Sequence, residues 1–100
     1  MRGRVHLPDG SGIAGVAVCR NYASYPGGVI ATTGADGSFQ PGPAFIPGDE
    51  MVGVWPVAAG YTFEPPFVRW RHYYGLEDRE LDFVASPEAA GTLAPPGPCS

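Results

Sequence analysis

The amino-acid sequence predicts an all-β fold, a small antiparallel sandwich of about seven strands, on the basis of three observations. Apolar and polar residues alternate over short runs, as in 2–7 and 61–63. Pairs such as Asp36-Gly37, which favour tight turns, separate these runs, and most of the 15 glycines and 12 prolines fall between them. No window shows the sustained 3.6-residue period of an amphipathic helix.

The first half of the chain contains two predicted strands around a turn and a third strand after a loop. Residues 2–7 alternate, with Val5 and Leu7 on one face. Residues 8–12 form a turn, since proline presets φ and glycine allows positive φ. Residues 15–20 are the second strand. After a loop that contains Tyr22 and Tyr25, the β-branched run 29–33 predicts the third strand.

The middle of the chain begins with the Asp36-Gly37 turn, from which residues 38–40 return as a strand. A loop rich in proline and glycine follows over 41–49. Residues 50–57 are predicted to be a strand, although Pro56 limits its pairing. A corner at Gly60 then leads into Tyr61 and Phe63.

The last part of the domain is predicted to contain strands at 67–72 and 79–85, joined through a turn at 73–75. The acidic run 77–82 is expected to be a solvated edge that discourages strand pairing. Residues 86–100 contain four prolines without periodicity and predict an extended tail or linker. The chain is thus expected to be one domain, residues 1–85, followed by this tail.

The predicted core takes one or two large apolar residues from each strand. Its members are Val5, Leu7, Val16, Val18, Ile30, Phe39, Val52, Val54, Tyr61, Phe63, Val68, Leu81 and Phe83.

The same pattern resembles the carboxypeptidase regulatory-like domain, which is related to transthyretin-like and collagen-adhesin B-type sandwiches. The resemblance covers about residues 2–85 and rests on 3–5, 12–18, 33–39, Pro47-Gly48, 60–65 and Asp82-Phe83. It implies a seven-stranded Ig-like or prealbumin-like fold in two sheets, with a spacer or accessory role in secreted, surface or viral proteins. The chain departs from the family pattern at 41–49 and 70–74, which is where a specific function is expected.

Charge and hydropathy exclude several classes of function. The net charge is −4, and the six basic residues are all arginines, too few and too scattered for a nucleic-acid interface. Because lysine is absent, the Lys–Asn crosslink of some collagen-adhesin domains cannot form. No apolar run approaches 18 residues, so membrane insertion is not expected, and the first residues do not read as a signal peptide.

The candidate binding residues are aromatic and basic. They are Trp70, Arg71, His72, Tyr73 and Tyr74 near one predicted turn, and Tyr22 and Tyr25 in another loop. Aromatic faces beside arginine and histidine suit either a protein interface or stacking against sugar rings. They are equally consistent with a core tryptophan and tyrosines that cover sheet edges.

Cys19 and Cys99 are the only cysteines, and their spacing fits no zinc or redox motif. A disulfide between them would join the tail to the second strand and contribute roughly 4 kcal/mol. The alternative is a buried thiol at Cys19 and a loose one at Cys99.

Catalytic, cofactor and metal sites are not expected. His6 and His72 are isolated in sequence, and the two Asp-Gly-Ser segments at 9–11 and 36–38 lack the further acids of an EF-hand. We therefore expect a non-catalytic structural or interaction module of an extracellular, cell-surface, filament or virion assembly, with a protein partner or self-association. The alternative is a carbohydrate-binding accessory module that uses exposed Trp and Tyr.

Overall fold

A computed structural model of the chain describes residues 1–22, 25–42, 44–46 and 48–87, with the backbone alone at 25–27 and 44. These residues form ten strands and no helix. The strands are β1 (Arg2–His6), β2 (Ala17–Tyr22), β3 (Tyr25–Thr32), β4 (Ser38–Phe39), β5 (Ala44–Ile46), β6 (Glu50–Val57), β7 (Tyr61–Glu64), β8 (Val68–His72), β9 (Gly75–Glu77) and β10 (Glu80–Pro87).

The strands form two four-stranded sheets and one small sheet. Sheet A has the order β4-β1-β10-β7, and sheet B has the order β3-β2-β6-β8. Sheet C is the pair β5-β9. Sheets A and B contribute to one hydrophobic core, so the architecture is a β-sandwich.

The two-residue period of a strand decides which side chains enter the core. In β10, Leu81, Phe83 and Ala85 are buried, whereas Glu80 and Asp82 at the alternate positions are exposed. The core from sheet B includes Val18, Val52 and Val54, all at 0% exposure. Full burial of a side chain of this size contributes roughly 1.5–3 kcal/mol, so these strands hold the sandwich together.

Most of the predicted core is buried. Val5, Val16, Val18, Phe39, Val52, Val54, Leu81 and Phe83 lie in it, while Ile30, Tyr61, Phe63 and Val68 are half-buried against it. Leu7 is half-buried. The core also takes Met1, Ile46, Trp70 and Ala85, which the pattern did not indicate.

The prediction of about seven strands is wrong in detail, because three segments predicted as loop or turn are strands. Sheet C consists of β5, which lies within the predicted loop 41–49, and β9, which begins in the predicted turn 73–75. β3 begins at Tyr25, since Tyr22 pairs with Tyr25 and the predicted loop is a hairpin. Glycine and proline are depleted in strands but not excluded from them, and the pairing partners were not visible in the sequence.

The expected antiparallel sandwich also contains a parallel pair. β1 runs parallel to β10 in a register that joins Val5 to Phe83. Parallel neighbours need a long crossover connection, and eight strands separate these two in the chain. β10 runs through Pro87, so pairing extends two residues beyond the predicted boundary at residue 85.

Both predicted Asp-Gly-Ser turns are confirmed. Asp36 Oδ1 accepts hydrogen bonds from the Ser38 amide at 3.0 Å and from its hydroxyl at 2.6 Å. Gly37 has a φ of 81°, a conformation that glycine adopts without strain. Asp9 Oδ1 accepts from the amide of Ser11 at 2.8 Å. Because these bonds favour the charged carboxylate, they hold the pKa of both aspartates below the usual value.

We predict that Gly3→Ala destabilises the domain, because sheet A leaves no room for a methyl group there. A Cβ at residue 3 would clash with the carbonyl oxygen of Leu81 and lie 2.6 Å from Cζ of Phe39. Overpacking of this kind costs about 1–3 kcal/mol. Urea denaturation measures the loss, and Gly28→Ala is the matched control because a Cβ there meets nothing within 4 Å. Equal stability of the two variants would contradict the packing described for sheet A.

Candidate functional site

Trp70 is a core residue, which corrects its predicted place in an exposed binding site. It is 8% exposed and lies opposite Val52 in the β6–β8 pair. The alternation of β8 places Arg69 and Arg71 on the exposed side of the strand and Trp70 on the buried side. A tryptophan in this position cannot serve as a stacking surface for a sugar.

The indole of Trp70 is held from one side by a cation. The guanidinium of Arg79 lies 4.4 Å from the ring centroid, a cation–π contact. The indole Nε1 is buried and has no hydrogen-bond partner within the described part of the chain. Trp70 therefore acts as a structural anchor between β8 and the chain that leads into β10.

Arg71 and His72 are engaged within the domain. Arg71 donates two hydrogen bonds to Asp49, at 2.8 and 2.9 Å, in the bidentate geometry that arginine favours. This pairing lowers the pKa of the Asp49 carboxyl. Nε2 of His72 lies 3.3 Å from the carbonyl oxygen of Gly75. Both side chains thus make contacts within the domain, to segments in or next to sheet C.

Four large side chains form an exposed cluster on and beside sheet C, which we call the sheet C patch. Phe45 and Leu76 are direct partners in the β5–β9 pair, 56% and 67% exposed. Tyr73 and Tyr74 precede β9 and are 67% and 72% exposed. The rings of Phe45 and Tyr74 meet edge to face, with centroids 5.1 Å apart and an interplanar angle of 85°. The patch is contiguous at least from Tyr74 through Phe45 to Leu76.

The two segments in which a specific function was expected, 41–49 and 70–74, come together here. One link is the ion pair between Asp49 and Arg71, and the other is the ring contact between Phe45 and Tyr74. The sequence indicated Tyr73 and Tyr74 but missed Phe45 and Leu76. One feature of the sequence could have indicated Phe45. It is an aromatic residue within a segment rich in proline and glycine, where no core residue was needed.

Tyr22 and Tyr25 do not join the patch as far as the structure describes them. Tyr22 is half-buried against the core, and the guanidinium of Arg20 lies 5.1 Å from its ring centroid. Tyr25 pairs with it through the backbone, but the side chain of Tyr25 lies outside the described residues. Of this predicted second half of the binding site, Tyr22 packs against the core, and the side chain of Tyr25 is not among the described residues.

A buried ion pair connects sheet B with sheet C. Glu77 is 0% exposed and its Oε2 lies 3.6 Å from a terminal nitrogen of Arg20, whose side chain is 16% exposed. Neither carboxylate oxygen has a hydrogen-bond partner among the residues that the structure describes. The prediction of a solvated edge at 77–82 that discourages strand pairing is therefore wrong. Glu77 is buried on β9 next to exposed Leu76, and residues 80–82 pair with residues 2–4 of β1, although Glu80 and Asp82 keep exposed side chains.

The outer face of sheet A is charged. A depression of ≈ 380 Å³ is lined by residues that include Arg2, Arg4, Glu80 and Asp82. The register of the β1–β10 pair places Arg2 beside Glu80 and Arg4 beside Asp82, so each positive side chain on β1 has a negative neighbour on β10. Such a surface has no excess charge for an ionic ligand.

His6 lies at the end of this charged face. Its Nδ1 is 2.8 Å from the carbonyl oxygen of Leu7, and its Nε2 is 2.9 Å from Oδ2 of Asp82. Both neighbours are acceptors, so the doubly protonated ring satisfies both. The bond to Leu7 and then the one to Asp82 raise the pKa of His6 above 6.5.

Within the described parts of the chain, no three His, Cys, Asp or Glu side chains are grouped so as to hold a metal ion. The same residues include no helix that is long and apolar enough to span a membrane. Cys19 is buried and disulfide-bonded, while Cys99 lies outside the described residues.

Comparison of the chain with protein-family models, curated proteins and solved structures finds no match.

We predict that Glu77→Ala destabilises the domain by about 3–5 kcal/mol, because it leaves the partly buried Arg20 guanidinium without a counter-charge. The double variant Arg20→Met/Glu77→Ala should recover part of this loss. Denaturant titration of the three chains measures both effects. Glu80→Ala is the control, since that exposed carboxylate is 3.7 Å from Arg2 and such pairs contribute less than about 1 kcal/mol. A Glu77→Ala loss no larger than that of the control would argue against a buried pair.

We predict that the His6–Asp82 contact stabilises the domain at low pH. The folded pKa of His6 is raised, so its stabilisation is fully present below pH 6.5 and is lost as pH rises through the folded value. Asp82→Asn should lower the His6 pKa and flatten this part of the stability profile. NMR titration of the imidazole tests the shift, with Glu64→Gln on β7 as the control. An unchanged His6 pKa in Asp82→Asn would contradict the assignment.

Proposed function

We propose that this chain is a non-catalytic interaction module that binds protein through the sheet C patch. The observation that carries the proposal is the exposure of four large side chains, 56–72% each, on and beside sheet C. Single exposed apolar residues are normal, but adjacent ones mark interaction sites. Burying them against a partner would release apolar surface from water.

The composition of the patch fits a protein partner. Phenylalanine and tyrosine are enriched in interface cores, where flat rigid rings give large contact areas. The ion pair of Arg71 and Asp49 lies beside the patch and supplies a polar rim. An apolar centre with a polar rim is the usual anatomy of a protein interface.

A protein partner is favoured over a carbohydrate by what surrounds the rings. Sugar recognition needs polar groups that bond hydroxyls beside a stacking face. Phe45 and Leu76 provide none, and the edge-to-face contact covers one edge of the aromatic pair. Trp70, the strongest stacking candidate in the sequence, is buried. The patch therefore supports protein contacts as the task of the module.

We further propose that the module works in an extracellular, cell-surface, filament or virion assembly. The bonded state of Cys19 supports an oxidising environment, where disulfides persist. The resemblance to carboxypeptidase regulatory-like sandwiches supports the same setting, because such domains serve as spacers or accessories in secreted and viral proteins.

The first partner to test is a second copy of the chain. β5 and β9 pair only with each other among the described strands, so sheet C has an open edge on both sides. A two-stranded sheet is marginally stable alone and gains by adding a strand. A second copy offers both a strand edge and the same apolar side chains.

We predict that the chain self-associates reversibly and that Phe45→Ser/Leu76→Ser weakens this association at least about tenfold. Sedimentation velocity over a concentration series measures the effect. Val29→Ser is the matched control, because Val29 is 53% exposed but lies on β3 of sheet B. Circular dichroism should show that both variants remain folded.

Two results together would overturn the proposed function. One is a wild-type chain that stays monomeric at every concentration. The other is photo-crosslinking from position 76 in the source cells that yields no protein adduct. Equal weakening by Val29→Ser would instead reject the sheet C patch as the contact surface.

A further inference from the structure

We propose that β8 is a docking edge for an acidic, extended segment of another protein, which adds to sheet B as a fifth strand. β8 lies at the end of the order β3-β2-β6-β8, so this edge belongs to a different sheet from the sheet C patch. Strand addition uses main-chain hydrogen bonds for affinity and side chains at alternate positions for specificity. The five residues of β8 provide both.

The outer edge of β8 is open. Among the described strands, β8 pairs only with β6, and this pairing runs through every residue from Val68 to His72. Within the same parts of the chain, residues 68–72 make no further backbone hydrogen bond. Alternate residues of an edge strand direct their N–H and C=O groups away from the sheet. The edge therefore offers main-chain donors and acceptors to an added strand.

The other three edges of the two large sheets are less suitable for strand addition. β4 has only two residues, and β7 has four and is followed directly by Pro65 and Pro66. The sequence of β3 includes Pro26, which has no N–H group to donate. β8 contains neither proline nor glycine, so each of its residues keeps a main-chain donor and an acceptor.

The edge carries positive charge in a chain whose net charge is negative. Arg69 and Arg71 are exposed on one face of β8, and the strand contains no acidic residue. Arg71 is paired with Asp49, whereas Arg69 has no carboxylate partner among the described residues. Its guanidinium lies 5.5 Å from the ring centroid of Phe67, which stacks on Trp55 with ring centroids 5.4 Å apart. An arginine beside an aromatic ring can still donate hydrogen bonds, so Arg69 suits an acidic residue of an added strand.

The same charges disfavour the pairing of β8 with β8 of a second copy. An antiparallel pair of these strands centred on Trp70 would set Arg69 opposite the partner's Arg71. Like charges directly opposite each other destabilise a strand pair, whereas opposite charges stabilise it. The arginines therefore select against self-pairing at this edge and in favour of an acidic strand.

The two faces of β8 define the side-chain pattern of the occupant. On the inner face, Val68 is half-buried against the core and Trp70 is 8% exposed. The side chains of an added strand alternate between the same two faces. Those beside Arg69 and Arg71 are acidic, and those beside Val68 and Trp70 are apolar. A segment in which acidic and apolar residues alternate therefore fits the edge.

The experiment titrates the whole chain with a blocked hexapeptide of alternating glutamate and valine at low salt. Amide NMR signals of residues 68–72 should shift and saturate, and Arg69→Gln should weaken the binding at least about threefold. Arg2→Gln is the matched control, because it removes the same charge from an exposed position on β1 of sheet A. Circular dichroism should show that both variants remain folded.

A second peptide separates strand addition from attraction between charges alone. It has the same side chains but N-methylated backbone amides, so it cannot donate to the edge of β8, and it should not bind. Absence of saturable shifts at 68–72 with the first peptide, equal weakening by Arg2→Gln, or equal binding of the N-methylated peptide would each overturn the proposal. Phe45→Ser/Leu76→Ser should leave the peptide binding unchanged, because those residues lie on sheet C.

Discussion

Sheet A depends on the parallel pairing of the first strand with the last. β1 and β10 are its two central strands, and β4 and β7 join only at their outer edges. Without this pairing, Val5, Leu81 and Phe83 would have no common surface on which to pack. The pairing joins residues about 80 positions apart in the chain, and such long-range contacts form slowly because loop closure costs entropy before burial repays it.

Successive side chains of a strand point to opposite faces of its sheet, and this alternation decides the surroundings of nearly every side chain. Cys19 and Arg20 are adjacent in sequence but face opposite sides of sheet B, so one meets the outer face and the other reaches the buried Glu77. In the same way, Trp70 anchors the core while Arg71 braces sheet C from outside. A shift of the strand register by one residue would move each of these side chains to the other face of the sheet.

The sandwich has two aromatic surfaces that differ in their surroundings. The sheet C patch is exposed, and among the described strands β5 and β9 pair only with each other. The Trp55–Phe67 surface lies beside sheet B, where Trp55 is the cross-strand partner of the disulfide-bonded Cys19.

The sequence by itself determined the all-β class, the Asp-Gly-Ser turns and most core positions, because period-two alternation and turn chemistry are local properties. It also indicated Tyr73 and Tyr74, which no core position required. Only the tertiary structure decided that Trp70 is buried, that Phe45 and Leu76 complete the patch, and that Glu77 lies inside. Those outcomes depend on which strands become neighbours and which face they turn inward, and both are set by packing between segments distant in the chain.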